Sequence, residues 1–237
     1  MQMHKGVRIA LIVLFTGSAV FAQTGMQAGM GIGIGVPMNE FADQVNTGGG
    51  FCGEFLYAPG NGYFGFGLGI DYLIYGSETR AEPFSTTIPD VTVDVTTTNS
   101  ILLGYLLLRV QAKEGPIQPY ADGVFGFDYL FTETSINDDD WDDWDDHDGY
   151  DQIASSTNFD DTAMSYGFGG GCKFRVWEAT SEATEVFVDV QGRYLRGGEA
   201  EYLKKGSIRR ENGKLLFDVS KSKTDLLVFK VGASVQF

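Results

Sequence analysis

The chain has 237 residues, 43% of them hydrophobic, and a formal net charge of −15. This length suits one β domain of ordinary size, and we expect no nucleic-acid partner. After the N-terminal segment the longest apolar run is ILLGYLLLRV (101–110). It is too short for a transmembrane helix, so a membrane-spanning form of this chain must cross with strands.

The N-terminus has the pattern of a secretory signal peptide. His4, Lys5 and Arg8 precede the apolar stretch IALIVLF, and small residues follow up to Ala22. We therefore predict a signal peptide over 1–22 and one domain over 23–237. Residue 23 is Gln and not Cys, so we expect no lipid anchor at that position.

Period-two alternation of apolar residues predicts eight β-strands in the exported part of the chain. The pattern is plainest in MGIGIGV, where Met, Ile and Val face one way and Gly the other. The predicted strands, the second and fourth being the weakest, cover 30–36, 51–57, 63–75, 101–110, 120–131, 164–177, 186–194 and 226–237.

The predicted connections alternate between short and long. APGNG, KEGPIQP and EATSEATE are short and rich in turn formers. The other four, 37–48, 77–98, 135–161 and 197–223, are long and are predicted as loops. Outer-membrane barrels typically have an even number of strands, long connections at one end and short periplasmic turns at the other. The fold class predicted is all-β, an eight-stranded antiparallel up-and-down transmembrane β-barrel.

The two faces of the strands differ, and this decides which one meets lipid. One face is aromatic and aliphatic, and the other is mostly Gly with five acids and five bases. A basic residue facing lipid near the midplane costs about 2–4 kcal/mol, so the charged face is predicted to line a filled lumen. A secreted lipocalin-like barrel, with the aromatic face inside, is the alternative. The ten lumenal charges predicted are Glu54, Asp71, Asp122, Asp128, Asp189, Arg109, Lys173, Arg175, Arg193 and Lys230.

The same phase separates the two cysteines of the exported chain. Cys52 is predicted to point inward on the second strand, and Cys172 outward on the sixth. These strands lie across the barrel from one another. Because a disulfide needs Cα atoms within about 7 Å, we expect two separate thiols.

The chain resembles the small eight-stranded outer-membrane β-barrel proteins, which include the membrane domain of outer-membrane protein A and the X and W types. Its closing stretch VFKVGASVQF, ending on Phe237, looks like the terminal-strand signal of that family. The resemblance implies a bacterial outer-membrane location, contact with lipid and lipopolysaccharide, and recognition of the Phe237 strand by the barrel assembly machinery. No peptidoglycan-binding module is expected, since the chain ends on a barrel strand.

The run NDDDWDDWDDHDGYD (137–151) holds nine aspartates and His147, the one histidine beyond the N-terminal segment. We predict a dispensable acidic extracellular loop. A calcium loop over Trp144–Ser155 would need a carboxylate at its first position and a glutamate at its twelfth, and has neither. Asp145 and His147 have Asp-x-His spacing but no strand to fix them. We therefore expect no catalytic, metal-binding or cofactor-binding residue.

Two functions remain open from the sequence. The first is a structural or surface-interaction protein that displays four long loops to an unknown extracellular ligand. The second, suggested by resemblance to the W type, is passive transport of a small, possibly apolar, solute. The balanced charges favour a plugged lumen and the first function, while glycine-rich walls leave space that suits the second.

Overall fold

A computed structural model describes residues 25–59, 62–85, 88–137, 152–179, 184–211 and 214–237. The predicted signal peptide over 1–22 lies outside these residues. Among the described residues no helix is long and apolar enough to cross a membrane.

Eight antiparallel strands close into a barrel, as predicted, in the cyclic order β1-β12-β7-β6-β5-β4-β3-β2. The first and last strands pair directly, from Gln27 opposite Gln236 to Pro37 opposite Leu226, so no barrel strand has a free edge at that seam. The barrel strands are β1 (Met26–Pro37), β2 (Gly48–Tyr57), β3 (Phe64–Ser85), β4 (Ile88–Gln111), β5 (Ile117–Asn137), β6 (Gln152–Glu178), β7 (Glu185–Gly197) and β12 (Leu226–Gln236).

Short connections join β2 to β3, β4 to β5 and β6 to β7, as predicted, and the strand ends that they join lie at one end of the barrel with Gly25 and Phe237. We call this the turn end, and the opposite end the loop end. At the turn end Gly25 N donates to Phe237 O at 2.8 Å and Ala58 N donates to Gly25 O at 2.7 Å. The last residue is thus held in the wall of the barrel. Recognition of Phe237 by an assembly machinery stays a prediction.

The prediction of long loops was wrong for three of the four connections, which contain β-strands in the structure. β3 and β4 stay paired up to Ser85 opposite Ile88, and β5 and β6 up to Asn137 opposite Gln152. The signal was too weak because these stretches are rich in Thr, Ser and Asp, and their one apolar alternation, Val91, Val93 and Val95, is confined to a short segment of β4. Their β-branched Thr and Val residues were the available signal.

The 197–223 connection is also folded. It forms two short hairpins, β8 (Glu199–Tyr202) with β11 (Ser220–Lys223), and β9 (Ile208–Glu211) with β10 (Lys214–Phe217). We call residues 198–225 the lid. Only the first connection matches the prediction, a loop between β1 and β2 with a 3-10 turn at Asn39–Phe41.

Candidate functional site

A network of buried ion pairs crosses the middle of the lumen, as the balanced charges predicted. Glu54 lies between three cations, with Arg193 Nη2 and Lys230 Nζ at 2.8 and 2.9 Å from Oε1 and Arg109 Nη2 at 3.0 Å from Oε2. Arg109 also donates two hydrogen bonds, of 2.7 and 2.9 Å, to the Asp122 carboxylate. This network joins strands β2, β4, β5, β7 and β12 through the lumen.

Tyrosine rings flank the network and extend it. The Arg109 guanidinium stacks 3.8 Å from the Tyr120 ring, whose hydroxyl donates to Asp189 at 2.7 Å. The Tyr105 hydroxyl donates to both oxygens of Asp71 at 3.2 Å. Glycine makes room for these rings, because a Cβ at Gly171 would lie 2.5 Å from the Tyr120 hydroxyl. The predicted reason for the Gly-rich face, a narrow filled interior, is confirmed here.

Arg175 is the exception among the ten predicted lumenal charges. It lies at the turn-end rim, where it pairs with Glu185 and Glu178 and keeps part of its side chain in solvent. Lys173 is fully buried nearby and donates to the Gln27 and Gln111 amide oxygens at 3.0 and 3.2 Å. The alternation correctly put Arg175 on the lumenal face of β6. Because Arg175 lies near the end of the strand, however, its side chain is at the rim and not inside the lumen.

An apolar layer and the lid close the lumen towards the loop end. Phe41 of the first connection packs edge-on against Tyr202 of β8 at 5.3 Å and against Tyr75 of β3 at 6.3 Å. The Tyr75 hydroxyl donates to Leu203 O at 3.1 Å. Burial raises the pKa of Tyr202, so its hydroxyl stays protonated beside Ser222 Oγ, 2.7 Å away. Below this cluster the buried side chains are Leu73, Ile101, Leu103, Leu130, Leu195, Leu226 and Val228.

Polar latches tie the lid to the barrel. Asn39, which adopts φ 54°, donates through Nδ2 to Asp225 Oδ2 at 2.7 Å. Thr224 donates to the buried Asp128 carboxylate at 3.1 Å, and Lys204 Nζ donates to Gln44 Oε1 at 2.9 Å. Sequence reasoning missed this closure, because no hydrophobic period links the first connection to residues 198–225.

A belt of exposed apolar side chains surrounds the barrel wall. It has aromatic groups near both edges, with Tyr57 and Phe66 paired at 5.6 Å towards the turn end and Tyr129 and Phe131 stacked at 5.2 Å towards the loop end. This is the outer surface of a barrel in lipid, and the reverse of a lipocalin-like barrel, whose aromatic face would be inside. The chain has the fold of a small outer-membrane β-barrel. Members of the belt include Ile32, Phe51, Leu68, Ile70, Leu106, Leu108, Phe125, Tyr166, Phe168, Val190, Phe229 and Val231.

Two solved structures are similar to this outer-membrane-type barrel. Neisserial surface protein A is 13% identical, with a TM-score of 0.44 and coverage of 90% of this chain and 97% of that chain. Ail, the attachment invasion locus protein of Yersinia pestis, solved with the heparin analogue sucrose octasulfate, is 12% identical. Its TM-score is 0.35, and the match covers 91% of this chain and 100% of that chain. No family model matches the chain, and a search of curated proteins finds no match.

The cysteines lie where the strand phase placed them. Cys52 is buried in the lumen on β2, and Cys172 lies on β6, on the opposite side of the barrel. Both are free thiols.

The acidic run is almost entirely outside the described residues. The structure describes Asn137 at its start and resumes at Gln152, so the roles weighed for His147, Asp145 and the Trp144–Ser155 window are not tested by it. Within the described ranges no three His, Cys, Asp or Glu residues come together as a metal site.

Replacing residues 138–151 with a short Gly/Ser linker is expected to leave the barrel folded. β5 and β6 pair without help from the run, from Ile117 opposite Phe174 to Asn137 opposite Gln152, and loop length changes closure entropy only slowly. Unboiled gel mobility should match that of the parent chain, and calorimetry on the parent should show at most weak calcium binding. Loss of the folded band, or a tight stoichiometric calcium site, would contradict this.

Arginine at Leu106 is expected to lower the free energy of unfolding by about 2–4 kcal/mol in a bilayer. Leu106 is 61% exposed at mid-belt, between Leu68 of β3 and Phe125 of β5. Urea titration of the chain refolded into vesicles measures the change. The control is Ser156→Arg, on an exposed strand position beyond the belt, which should change stability little. Equal effects of the two arginines would show that the belt does not face hydrocarbon.

Proposed function

We propose that the chain is an integral outer-membrane protein that presents a rigid β-sheet and a folded lid to an extracellular partner, with no passage through its lumen. The turn end then lies in the periplasm and the loop end outside the cell. The observation that carries the proposal is the combination of a filled lumen with four strands that continue well beyond the lipid belt.

The projecting sheet has two open edges. β2 leaves β3 at Gly49 opposite Ile74, and β7 leaves β6 at Gly197 opposite Ser165. Beyond these points the sheet consists of β3 to β6 alone, braced by side-chain bonds such as Thr79 to Thr96 at 3.0 Å. At about 3.3 Å per residue, the thirteen residues from Met164 to Gln152 extend about 40 Å along the strand.

The two edges differ in how well they are protected. The β3 edge carries Glu78, Arg80, Glu82 and Pro83, the charges and proline that discourage strand addition. The β6 edge between Gln152 and Phe159 has neither charge nor proline. An extended segment of a partner can therefore add to β6 through main-chain hydrogen bonds.

The lumen does not favour transport of a solute. Across the described strands it is occupied in turn by the Lys173 amide layer, the Glu54 ion-pair network, the Leu73 apolar layer and the lid. Small barrels are filled by their own side chains in this way.

Three measurements test the proposal. Fractionation should find the chain in the outer membrane with mobility that changes on boiling, and trypsin added to intact cells should cut within residues 204–223 and spare Lys113. Planar bilayers should show no steady conductance. Recovery from the soluble periplasm would refute the membrane assignment, and stable single-channel currents would restore the transport reading.

A further inference from the structure

A groove lies on the outer wall of the barrel near the turn end. Its volume is about 530 Å³, within the range of about 300–1,000 Å³ that is typical of small-molecule sites. Arg109 and Asp122 belong to its floor, and their side chains are buried in the lumenal network behind it. The groove therefore opens to the surroundings of the barrel and not to the lumen. Its outward-facing, exposed lining residues are Phe64, Phe66, Leu108, Val110, Ala121 and Gly123.

The shape of the groove follows from a drop in side-chain size between neighbouring strands. β3 and β4 place large side chains here, whereas the outward positions of β5 beside them are Ala121 and Gly123. A Cβ at Gly123 would have no atom within 4 Å. Gly123 is flanked by Leu108 of β4 and Phe168 of β6, which are 68% and 69% exposed. An apolar chain can therefore lie along β5 between these two side chains.

The groove is continuous with the lipid-facing belt. Leu108 and Phe168 are members of the belt, so hydrocarbon surrounds the barrel at this depth. An empty groove would deprive its apolar lining of contacts, and water inside it would lack polar partners. The occupant that fits is a lipid acyl chain.

A basic side chain lies at the turn-end mouth of the groove. Pro59 lines the groove, and its carbonyl accepts a hydrogen bond from Gly62 N at 3.3 Å. A Cβ at Gly62 would lie 3.4 and 3.5 Å from Cγ and Cδ of Lys113, so the aliphatic stem of Lys113 lies against this turn. Lys113 is exposed, and a lysine at the edge of a lipid belt extends its ammonium into the headgroup region.

We propose that the groove binds one phospholipid of the periplasmic leaflet, with an acyl chain along β5 and the phosphate beside Lys113; the choice of leaflet rests on the proposed orientation of the turn end. Apolar contact supplies most of the affinity, because an exposed ion pair contributes little. A lipid in the groove contacts the wall beneath it and a side chain on each flank. A lipid elsewhere on the belt contacts the wall from one side only, so the lipid in the groove is the one retained in detergent.

The test titrates phosphatidylglycerol into the full folded chain in a nonionic detergent and counts bound lipids by native mass spectrometry. The chain should hold one lipid at concentrations at which a second lipid hardly binds. Diacylglycerol with the same two acyl chains lacks the phosphate and should bind about threefold more weakly.

Matched variants locate the site. Gly123→Leu fills the groove and should weaken the binding of phosphatidylglycerol about tenfold. Gly53→Leu is the control, since Gly53 is an outward-facing glycine outside the groove whose Cβ would lie 3.7 Å from Ile70 Cγ2. Lys113→Gln should weaken binding about threefold, and Lys205→Gln at the loop end should leave it unaltered.

Each variant is checked for heat-dependent gel mobility before its affinity is compared. G123L should keep this mobility, because the space beside Gly123 is open. If G123L did not fold, Ala121→Leu would fill the groove from the neighbouring outward position of β5 with the same expected loss of affinity.

Equal affinities of G123L and the parent chain would overturn the proposal. So would a dimer of the parent chain that G123L abolishes, because a second copy would then fill the groove. Unchanged affinity of K113Q, with diacylglycerol bound as tightly as phosphatidylglycerol, would overturn the placement of the phosphate. A folded barrel that retains no lipid refutes only this proposal, whereas a chain without heat-dependent mobility refutes the proposed function as well.

Discussion

Glutamine in place of Glu54 is expected to lower the free energy of unfolding by about 3–5 kcal/mol, the cost typical of breaking a buried ion pair from one side. The Glu54 side chain is 6% exposed and lies 2.8–3.0 Å from Arg193, Lys230 and Arg109. The amide keeps the shape but removes the charge, and Asp122 alone then faces the two guanidiniums. Urea titration of the refolded barrel, followed by gel mobility and tryptophan fluorescence, measures the loss.

Glu178→Gln is the matched control, since it makes the same change in an ion pair at the rim. Glu178 is 61% exposed and lies 3.2 Å from Arg175. Exposed pairs contribute about 0–1 kcal/mol, so its loss should be small. If E54Q were no more destabilising than E178Q, the lumenal network would contribute specificity or assembly and not stability.

The barrel was predictable because its wall separates two environments. Each wall strand alternates a lipid-facing side chain, such as Phe125 or Phe127, with a lumenal one, such as Asp122 or Asp128. The contrast between hydrocarbon and lumen imposes the period-two pattern that sequence reasoning detects. The equal number of acids and bases then indicated pairing across the lumen.

The partners within the network were not predictable from the sequence. Period and phase place Glu54 in the lumen, but they do not say that it meets Arg193, Arg109 and Lys230 while Asp189 meets a tyrosine hydroxyl. That choice depends on the stagger of the strands around the barrel, which brings together residues 139 and 55 positions apart. No local pattern in the sequence indicates how far neighbouring strands are staggered.

The parts outside the lipid were misread for a related reason. Beyond the belt no lipid covers the outward face of the strands, so Thr79 and Thr96 stand where the wall would have an apolar residue. The lid was missed because it buries single aromatic residues from distant segments, Phe41 and Tyr202, with no repeat around either. The structure beyond the lipid belt is therefore set by strand pairing and by isolated buried aromatic residues.

Alanine at Phe41 is expected to speed trypsin cleavage of the lid on the order of a hundredfold while leaving the barrel folded. Phe41 is 1% exposed and packs on Tyr202 and Tyr75, and removing a buried phenylalanine costs about 3–5 kcal/mol. The missing ring lies between the lid and the wall, so the cost falls on lid closure. The ion-pair network below keeps its own contacts.

If the lid opens and closes much faster than trypsin cuts it, the cleavage rate is proportional to the fraction of molecules with an open lid. The rate then measures the free energy lost from lid closure. Trypsin should cut at the bases between Lys204 and Lys223, with products followed by mass spectrometry and barrel folding by unboiled gel mobility. Phe217→Ala is the control, since it removes the same ring from an exposed position of the same lid. Equal cleavage of the two variants would mean that the polar latches, Asn39 to Asp225 and Thr224 to Asp128, hold the lid without the aromatic cluster. A faster rate in F41A alone would show that one side chain of the first connection keeps the loop end of the barrel shut.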